Sequence, residues 1–179
     1  MPKIIENVRE QLIAEVRREI ETVGYSKTTV RSVASALNLG LGTVYNYFPS
    51  KDMLVASAVS EDWKLSTDKF RSSSPSSKRE TLEMIYSMLS SFIKEHESLF
   101  SDSEARRKFA SVFTERHTQL RSQIASFVLP VLEETGDREF LSLFIAESML
   151  TWVMEDVPFA KLYDVIGKLL QDTDKETNS

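Results

Sequence analysis

Residues 28–48 read TTVRSVASALNLGLGTVYNYF, and this stretch decides the fold. Its first part predicts a short helix, because apolar residues recur at helical spacing after a threonine, Thr28 or Thr29, that can cap the helix. The recurring apolar residues are Val30, Val33, Ala34 and Leu37. The Asn-Leu-Gly run at 38–40 then breaks the pattern, since Asn and Gly favour tight turns.

A second short helix is predicted after this turn, with Val44 and Phe48 facing inward. Its outer face is left with polar and aromatic residues. These are Thr43, Tyr45, Asn46 and Tyr47. Exposed aromatic rings cost free energy unless a partner covers them. Two helices, a tight turn and such a face are typical of a helix-turn-helix whose second helix enters a DNA groove.

Three segments resemble a known family: residues 28–31 (TTVR), 42–48 (GTVYNYF) and 50–54 (SKDML). They are similar to the DNA-binding end of the TetR (tetracycline-repressor) family, and the resemblance spans roughly residues 4–60. The chain departs from the family pattern at Gly40 and Leu41, where relatives usually carry a small polar residue followed by Lys or Arg. This departure concerns the operator sequence and the strength of binding rather than the fold.

The resemblance implies an all-α protein in three parts. An N-terminal three-helix DNA-binding domain with the helix-turn-helix would occupy residues 1–48, followed by a connecting helix at about 50–70. A C-terminal helical bundle for ligand binding and dimerisation would occupy residues 71–179. The implied function is a cytoplasmic transcriptional regulator, in particular a repressor. It would bind a palindromic operator in double-stranded DNA as a homodimer and respond to an unknown apolar or amphipathic small molecule.

Residues for the DNA interface come from the matching segments and the start of the next helix. The candidates are Thr28, Thr29, Arg31, Leu41, Gly42, Thr43, Tyr45, Asn46, Tyr47 and Lys51. Tyrosine hydroxyls and a lysine ammonium group suit phosphate oxygens, whereas Thr43 suits a base edge or a thymine methyl. Leu41 can make only apolar contact with DNA. We expect Lys51, at the start of a helix capped by Ser50, to bind a phosphate.

Charge is distributed unevenly along the chain of 179 residues, whose net charge is −5. Residues 1–60 carry 7 Lys and Arg against 6 Asp and Glu, whereas residues 61–179 carry 15 against 21. The acidic excess therefore lies away from the predicted DNA-binding part. The sequence has no Cys, which excludes disulfides and thiolate chemistry. No apolar run is long enough to span a membrane, so no membrane partner is expected.

The remaining sequence predicts further amphipathic helices. An N-terminal helix is expected from Lys3 to Val23, and Met53 should face inward in the helix that starts near Lys51. Ser77 and Glu80 have the spacing of a capping box. Pro130 should kink a helix that continues to about residue 135, because proline lacks an amide donor.

Helices at about 137–155 and from 156 onward have more apolar surface than one core needs, which predicts a dimer interface there. The candidates are Phe140, Phe144, Met149, Trp152, Phe159 and Leu162. Aromatic and Met residues could also line an effector pocket, although at helical spacing each is more often simply core. The pocket candidates are Trp63, Met84, Met88, Phe92, Phe113, Phe127 and Trp152.

Catalytic and metal-binding patterns are missing from the sequence. His96 and His117 are the only histidines, no Glu-x-x-His or His-x-x-x-His spacing occurs, and polar surface positions are expected for both. No Ser/His/Asp constellation or phosphate-binding loop is present. We therefore expect no metal, no cofactor and no enzyme activity. The main alternative is a helical dimeric interaction protein that does not bind DNA, and an enzyme with a site buried in the bundle comes third.

Overall fold

A computed structural model describes residues 7–133 and 137–176, with side chains for all of these except 109–116 and 169–176. Helices account for all the regular secondary structure in these ranges, so the all-α prediction is confirmed. The helices are α1 Val8–Val23, α2 Val30–Ala36, α3 Leu41–Tyr47, α4 Lys51–Arg71, α5 Lys78–Glu95, α6 Glu97–Ser101, α7 Ser103–Val128, α8 Arg138–Met154 and α9 Phe159–Glu176. The predicted start of α1 at Lys3 lies outside the described residues.

The chain divides into two compact units that differ from the predicted boundaries. The first unit contains Met1–Leu65 together with His96–Ala110, and the second contains Ser66–Glu95 together with Ser111–Ser179. The sequence placed residues 96–110 in the C-terminal bundle. The structure packs them with the N-terminal helices instead, because Leu99 and Ala105 are buried in the same core as α1–α3.

The first unit is built around the inner faces of its short helices. Leu12 and Val16 of α1 pack with Val33 of α2 and Val44 of α3, and all four are fully buried. Thr29 caps α2: its Oγ1 accepts a hydrogen bond from the backbone amide of Ser32 at 2.9 Å, and the Ser32 hydroxyl bonds back to complete a capping box.

In the turn between α2 and α3, only one of the two residues that tolerate a positive φ adopts it. Asn38 adopts the left-handed conformation with φ 53°, whereas Gly40 has φ −66°, a value open to any residue. Gly40 is the N-cap of α3 and, having no side chain, supplies no side-chain hydrogen bond.

A polar network in the first unit joins α1, α4 and the start of α6. Arg17 forms an ion pair with Asp62 at 2.6 Å, and the other carboxylate oxygen of Asp62 lies 3.1 Å from Nε2 of His96. The side chain of His96 is only 12% exposed, so the prediction of a surface histidine was wrong at this position.

His117, which is exposed, lies 3.5 Å from Glu147.

The second unit has its own core, in which α5 packs against α8 and α9. Leu82, Ile85, Ile145, Met149 and Ile166 are all fully buried there. Aromatic packing extends this core, since the ring of Tyr86 lies 5.7 Å from that of Phe159.

Three local predictions are modified by the structure. α7 ends at Val128, and Pro130 lies in a 3₁₀ turn (Leu129–Val131) rather than in a kinked helix, because its ring and its missing amide donor end the α-helical ladder. The hydroxyl of Ser77 caps α5 through the Glu80 amide at 3.1 Å, but the Glu80 carboxylate bonds to Ser76 instead of closing the box. Met53 is 54% exposed rather than buried, because Leu54 and Val55 fill the core at this turn of α4.

Asp102 links two distant segments of the first unit. Its carboxylate accepts hydrogen bonds from the backbone amide of Ser26 at 3.1 Å and from the Ser26 hydroxyl at 2.8 Å. It also caps α7 by accepting from the amides of Glu104 at 2.9 Å and Ala105 at 3.0 Å. The Ala105 amide and the Ser26 groups hold the pKa of Asp102 below its ordinary value, because they stabilise the ionised form.

Asp102→Asn should therefore change how the stability of the protein depends on pH. A depressed carboxyl pKa contributes stability above the unfolded pKa of about 3.9, and this contribution is lost as the pH falls through the folded pKa. We expect Asp102→Asn to have a lower Tm than the parent chain at pH 7. The difference should shrink as the pH is lowered toward about 3, and circular dichroism melts at five pH values measure it.

Other carboxyl groups titrate equally in both proteins and cancel in the difference of the two Tm values. If the difference between the two Tm values stayed constant from pH 7 to about 3, the charge of Asp102 would contribute nothing to stability.

Candidate nucleic-acid interface

The outer face of α3 is the centre of the candidate interface. Burial of Val44 and Phe48 fixes the rotation of this helix, which leaves Gly42, Tyr45, Asn46 and Tyr47 exposed. The two tyrosines are each 47% exposed, and neither forms a hydrogen bond within the described residues. Thr43 is half-buried at the edge of the same face. Two phenol groups, a carboxamide and a hydroxyl are therefore presented together.

Leu41 is the first residue of α3. It is half-buried and packs against the core of the first unit, as Leu37 and Leu39 do. Its packing there removes apolar side-chain surface from water. Leu41 therefore packs partly against the core, and its apolar contact with DNA stays a prediction.

Thr28 and Thr29 have different roles although they are neighbours. Thr28 is fully buried, and its Oγ1 donates to the carbonyl of Gly24 at 2.9 Å, so its side chain is not accessible to DNA and the prediction was wrong. Thr29 is exposed at the start of α2, where its Oγ1 already caps the helix. Arg31, one turn further along, is exposed and has no ion pair within the described residues.

Lys51 is half-buried and engaged with the α1–α2 loop, a contact that the sequence did not predict; its binding to a phosphate stays a prediction. Its Nζ donates to the carbonyl of Tyr25 at 2.9 Å and lies 3.8 Å from the centre of the Tyr25 ring. The Tyr25 hydroxyl donates to the carboxylate of Asp52. Burial and this carboxylate raise the pKa of Tyr25, which keeps the phenol protonated.

A groove in the second unit corresponds in part to the predicted effector pocket. It has a volume of about 500 Å³, in the range of small-molecule sites. Its walls come from the end of α4 and from α5: Ser66, Lys69, Phe70, Ser73, Glu80, Glu83, Met84, Ser87, Met88, Ser91 and Glu95. The sequence missed Phe70 and the glutamates, because nothing in the pattern indicated which faces of α4 and α5 enclose space.

Among the predicted pocket residues with described side chains, Met84 and Met88 line this groove and the others do not. Phe127 is buried and its ring packs 4.9 Å from that of Phe70, whereas Phe92 is half-buried outside the groove lining. Trp63 belongs to the first unit. Trp152 is exposed, and the side chain of Phe113 lies outside the described part of the structure.

The predicted dimer residues fall into two groups. Met149 and Leu162 are buried within the second unit, and Phe159 is half-buried against Tyr86, so these three belong to its own core. Phe140, Phe144 and Trp152 are exposed, by 71%, 47% and 44%. Met154 of α8 and Val165 of α9 are also exposed and were missed.

Within the ranges that the structure describes, no helix is long and apolar enough to cross a lipid bilayer. The same ranges contain no group of three or more His, Asp or Glu side chains placed to hold a metal ion.

A short helix that is buried on one face and presents polar and aromatic groups on the other, behind a tight turn, defines the helix-turn-helix class of DNA-binding transcriptional regulators. Comparison with known families agrees: residues 12–58 match the model described as bacterial regulatory proteins, tetR family. This segment carries the N-terminal domain of the TetR family, and the chain has the fold of a TetR-family transcriptional regulator, a class of non-enzymatic transcription factors.

Solved structures extend the likeness over most of the chain. GusR of Salmonella enterica is 16% identical with a TM-score of 0.63, covering 94% of this chain and 99% of its own. A TerR/AcrR-family regulator from Aquifex aeolicus VF5 is 19% identical, with a TM-score of 0.61 and coverage of 91% and 97%. A TetR-like regulator from Rhodococcus sp. RHA1 is 15% identical, with a TM-score of 0.57 and coverage of 94% and 97%. No curated protein sequence matches the chain.

Proposed function

We propose that this protein is a transcriptional repressor that binds a palindromic operator as a homodimer and leaves it when an amphipathic small molecule binds the second unit. The observation that supports DNA binding most strongly is the outer face of α3, where Tyr45 and Tyr47 are half-exposed and unbonded within the described residues. Ring surface without a partner is unfavourable in water, so a face of this kind favours a macromolecular partner that covers it.

The chemistry of this face fits the DNA major groove. Thr43 and Asn46 can contact base edges, and the tyrosine hydroxyls can bond phosphate oxygens on either side of the groove. Arg31 on α2 adds a cation without an ion pair in the described residues. We propose that Thr43 and Asn46 provide selectivity, whereas Tyr45, Tyr47 and Arg31 fix the register on the backbone. Thr29 and Gly42 complete the interface, Gly42 by allowing close approach, since a Cβ there would meet no protein atom within 4 Å.

A homodimer is proposed from the apolar surface of α8 and α9. Phe140, Phe144 and Met154 recur at helical spacing on the face of α8 opposite its buried residues, with Trp152 at its edge. Four large apolar side chains on one helix face are more than a soluble monomer usually exposes in one place. Two-fold association would cover them and would also pair two recognition helices, which a seven-residue helix needs to read a selective site.

The groove between α4 and α5 is the proposed effector site. Phe70, Met84 and Met88 offer an apolar floor, and serine hydroxyls supply hydrogen bonds around it. Its charged groups are Glu80, Glu83 and Glu95 against Lys69 alone. This excess of carboxylates favours an amphipathic ligand with a cationic end. Binding would act as a population shift, in which the ligand favours a dimer whose recognition helices no longer match the spacing of the operator.

DNA binding is tested by selecting duplexes from a random pool and titrating the best one at several salt concentrations. Thr43→Ala should reduce discrimination against a changed base pair by roughly 1 kcal/mol per half-site while the salt slope stays the same. Arg31→Gln should lower the slope by about 0.9 per half-site, because one released counterion is lost. Arg18→Gln is the matched control, since Arg18 is an exposed cation already paired with Glu15. A pool that yields no preferred palindrome would favour the alternative of an interaction protein without DNA binding.

The dimer interface is tested by sedimentation of Phe144→Glu. In a two-fold dimer, each protomer would contribute one carboxylate to the centre of the apolar interface. We therefore expect the dimer dissociation constant to rise by roughly tenfold or more. Leu65→Glu is the control, because Leu65 is an exposed apolar residue of the first unit. Equal dimer strength in parent and Phe144→Glu would show that the face of α8 is not the interface.

The effector site is tested with two ions of the same shape and opposite charge, tetraphenylphosphonium and tetraphenylborate. We expect calorimetry to give a lower dissociation constant for the cation than for the anion. Glu83→Gln should reduce the ratio of the two dissociation constants, because it removes a groove carboxylate. Met88→Ala should weaken both ions alike, since it removes only apolar contact. Tighter binding of the borate would contradict the assignment of a cationic ligand.

A further inference from the structure

Cations in the first unit fall into two groups by their partners. On α1, Arg9 pairs with Glu61, Arg17 with Asp62, and Arg18 with Glu15. The ammonium group of Lys51 is bound to Tyr25. These charges are neutralised or held within the protein.

Arg106, Arg107 and Lys108 at the start of α7 belong to the second group. All three are exposed, and none has an ion pair or a side-chain hydrogen bond within the described residues. Lys27, in the loop between α1 and α2, is also exposed and also has no ion pair within the described residues. We refer to residues 106–108 as the basic cluster.

The structure ties the segment that precedes this basic cluster to the α1–α2 loop, which leads into the helix-turn-helix, although 76 residues separate Ser26 and Asp102 in sequence. Asp102 holds the α1–α2 loop through Ser26, and the amide of Arg106 donates to the carbonyl of Asp102 at 3.0 Å. The cluster therefore begins one helical turn, about 6 Å, from the residue that anchors this loop. Ala105, directly before it, is buried in the core that also holds Val44 of α3. Its position relative to α3 is thus fixed by packing.

Acidic groups near the cluster form no ion pair with it within the described residues. The carboxylate of Asp102 is engaged by the backbone amide and hydroxyl of Ser26 and by the amides of residues 104 and 105. Glu104 makes no ion pair with the cluster within the described residues. Three adjacent like charges repel one another within a Debye length of about 8 Å, so a polyanion is their most favourable partner.

We propose that Arg106, Arg107 and Lys108 form a second DNA-contact surface of the first unit, which binds phosphate groups of the duplex that α3 reads. The inference rests on the proposed DNA-binding function and adds a surface outside residues 12–58, the segment that matches the family model. Arginine and lysine at this surface contact the backbone and carry no base selectivity, so their contribution is to affinity and orientation.

The test compares Arg107→Gln with Lys94→Gln on the selected duplex between 50 and about 200 mM salt. Lys94 is the matched control, an exposed helical cation of the second unit whose loss changes the net charge equally. For the dimer, Arg107→Gln should lower the salt slope by about 2, whereas Lys94→Gln should leave it unchanged. Replacing all three cluster residues with Gln should lower it further, with discrimination between base pairs unaffected. Glutamine keeps the helix propensity, and circular dichroism confirms that each variant is folded.

The parent chain could bind a selected palindrome with a salt slope that does not change when the three cluster residues are replaced. That result would overturn this inference and leave the proposed function standing. An equal effect of Lys94→Gln also overturns it, because the response would then follow net charge alone. A parent chain that binds no duplex overturns both.

Discussion

The recognition helix depends on the burial of two side chains. A helix of seven residues is far too short to be stable alone in water, so α3 exists because Val44 and Phe48 are buried against α1 and α2. That burial fixes both the axis and the rotation of the helix. The backbone of every residue on the opposite face is then already fixed before binding, which lowers the entropy cost of forming an interface there. The inner face therefore determines which residues can read DNA.

The sequence predicted this arrangement because α2 and α3 follow simple rules. Apolar periodicity identified both helices, and the capping threonine and the Asn-Leu-Gly turn were correctly located. The same rules failed at single residues. Periodicity could not distinguish Thr28 from Thr29, and it could not show that the first turn of α3 tucks Leu41 inward. The partner of Lys51 is Tyr25, which lies in a loop 26 residues earlier, and no local pattern identifies such a contact.

Helix α8 shows a different limit. Its sequence is apolar around nearly the whole circumference, which correctly indicated that it has two apolar surfaces. The sequence could not assign individual residues to the buried or the exposed surface, because that assignment depends on which side of α8 faces α5. Met149 turned out to face the unit's own core, while Met154 is exposed. A uniformly apolar helix reveals that a partner is needed but not which residues meet it.

A protein of net charge −5 that binds a polyanion must separate its charges, and the first unit does so by pairing rather than by composition. Arginines of α1 are neutralised by carboxylates of α1 and α4, so they stabilise the fold and add little external field. Among the described residues, Arg31, Lys27 and residues 106–108 carry charges without an ion pair, and the contact between Asp102 and Ser26 links the segments that carry them within the first unit. Coulomb attraction falls off within about 8 Å at physiological salt, so these nearby charges, and not the distant acidic excess of the chain, determine what a phosphate experiences at this surface. The net charge of the sequence is therefore a poor guide to its affinity for DNA.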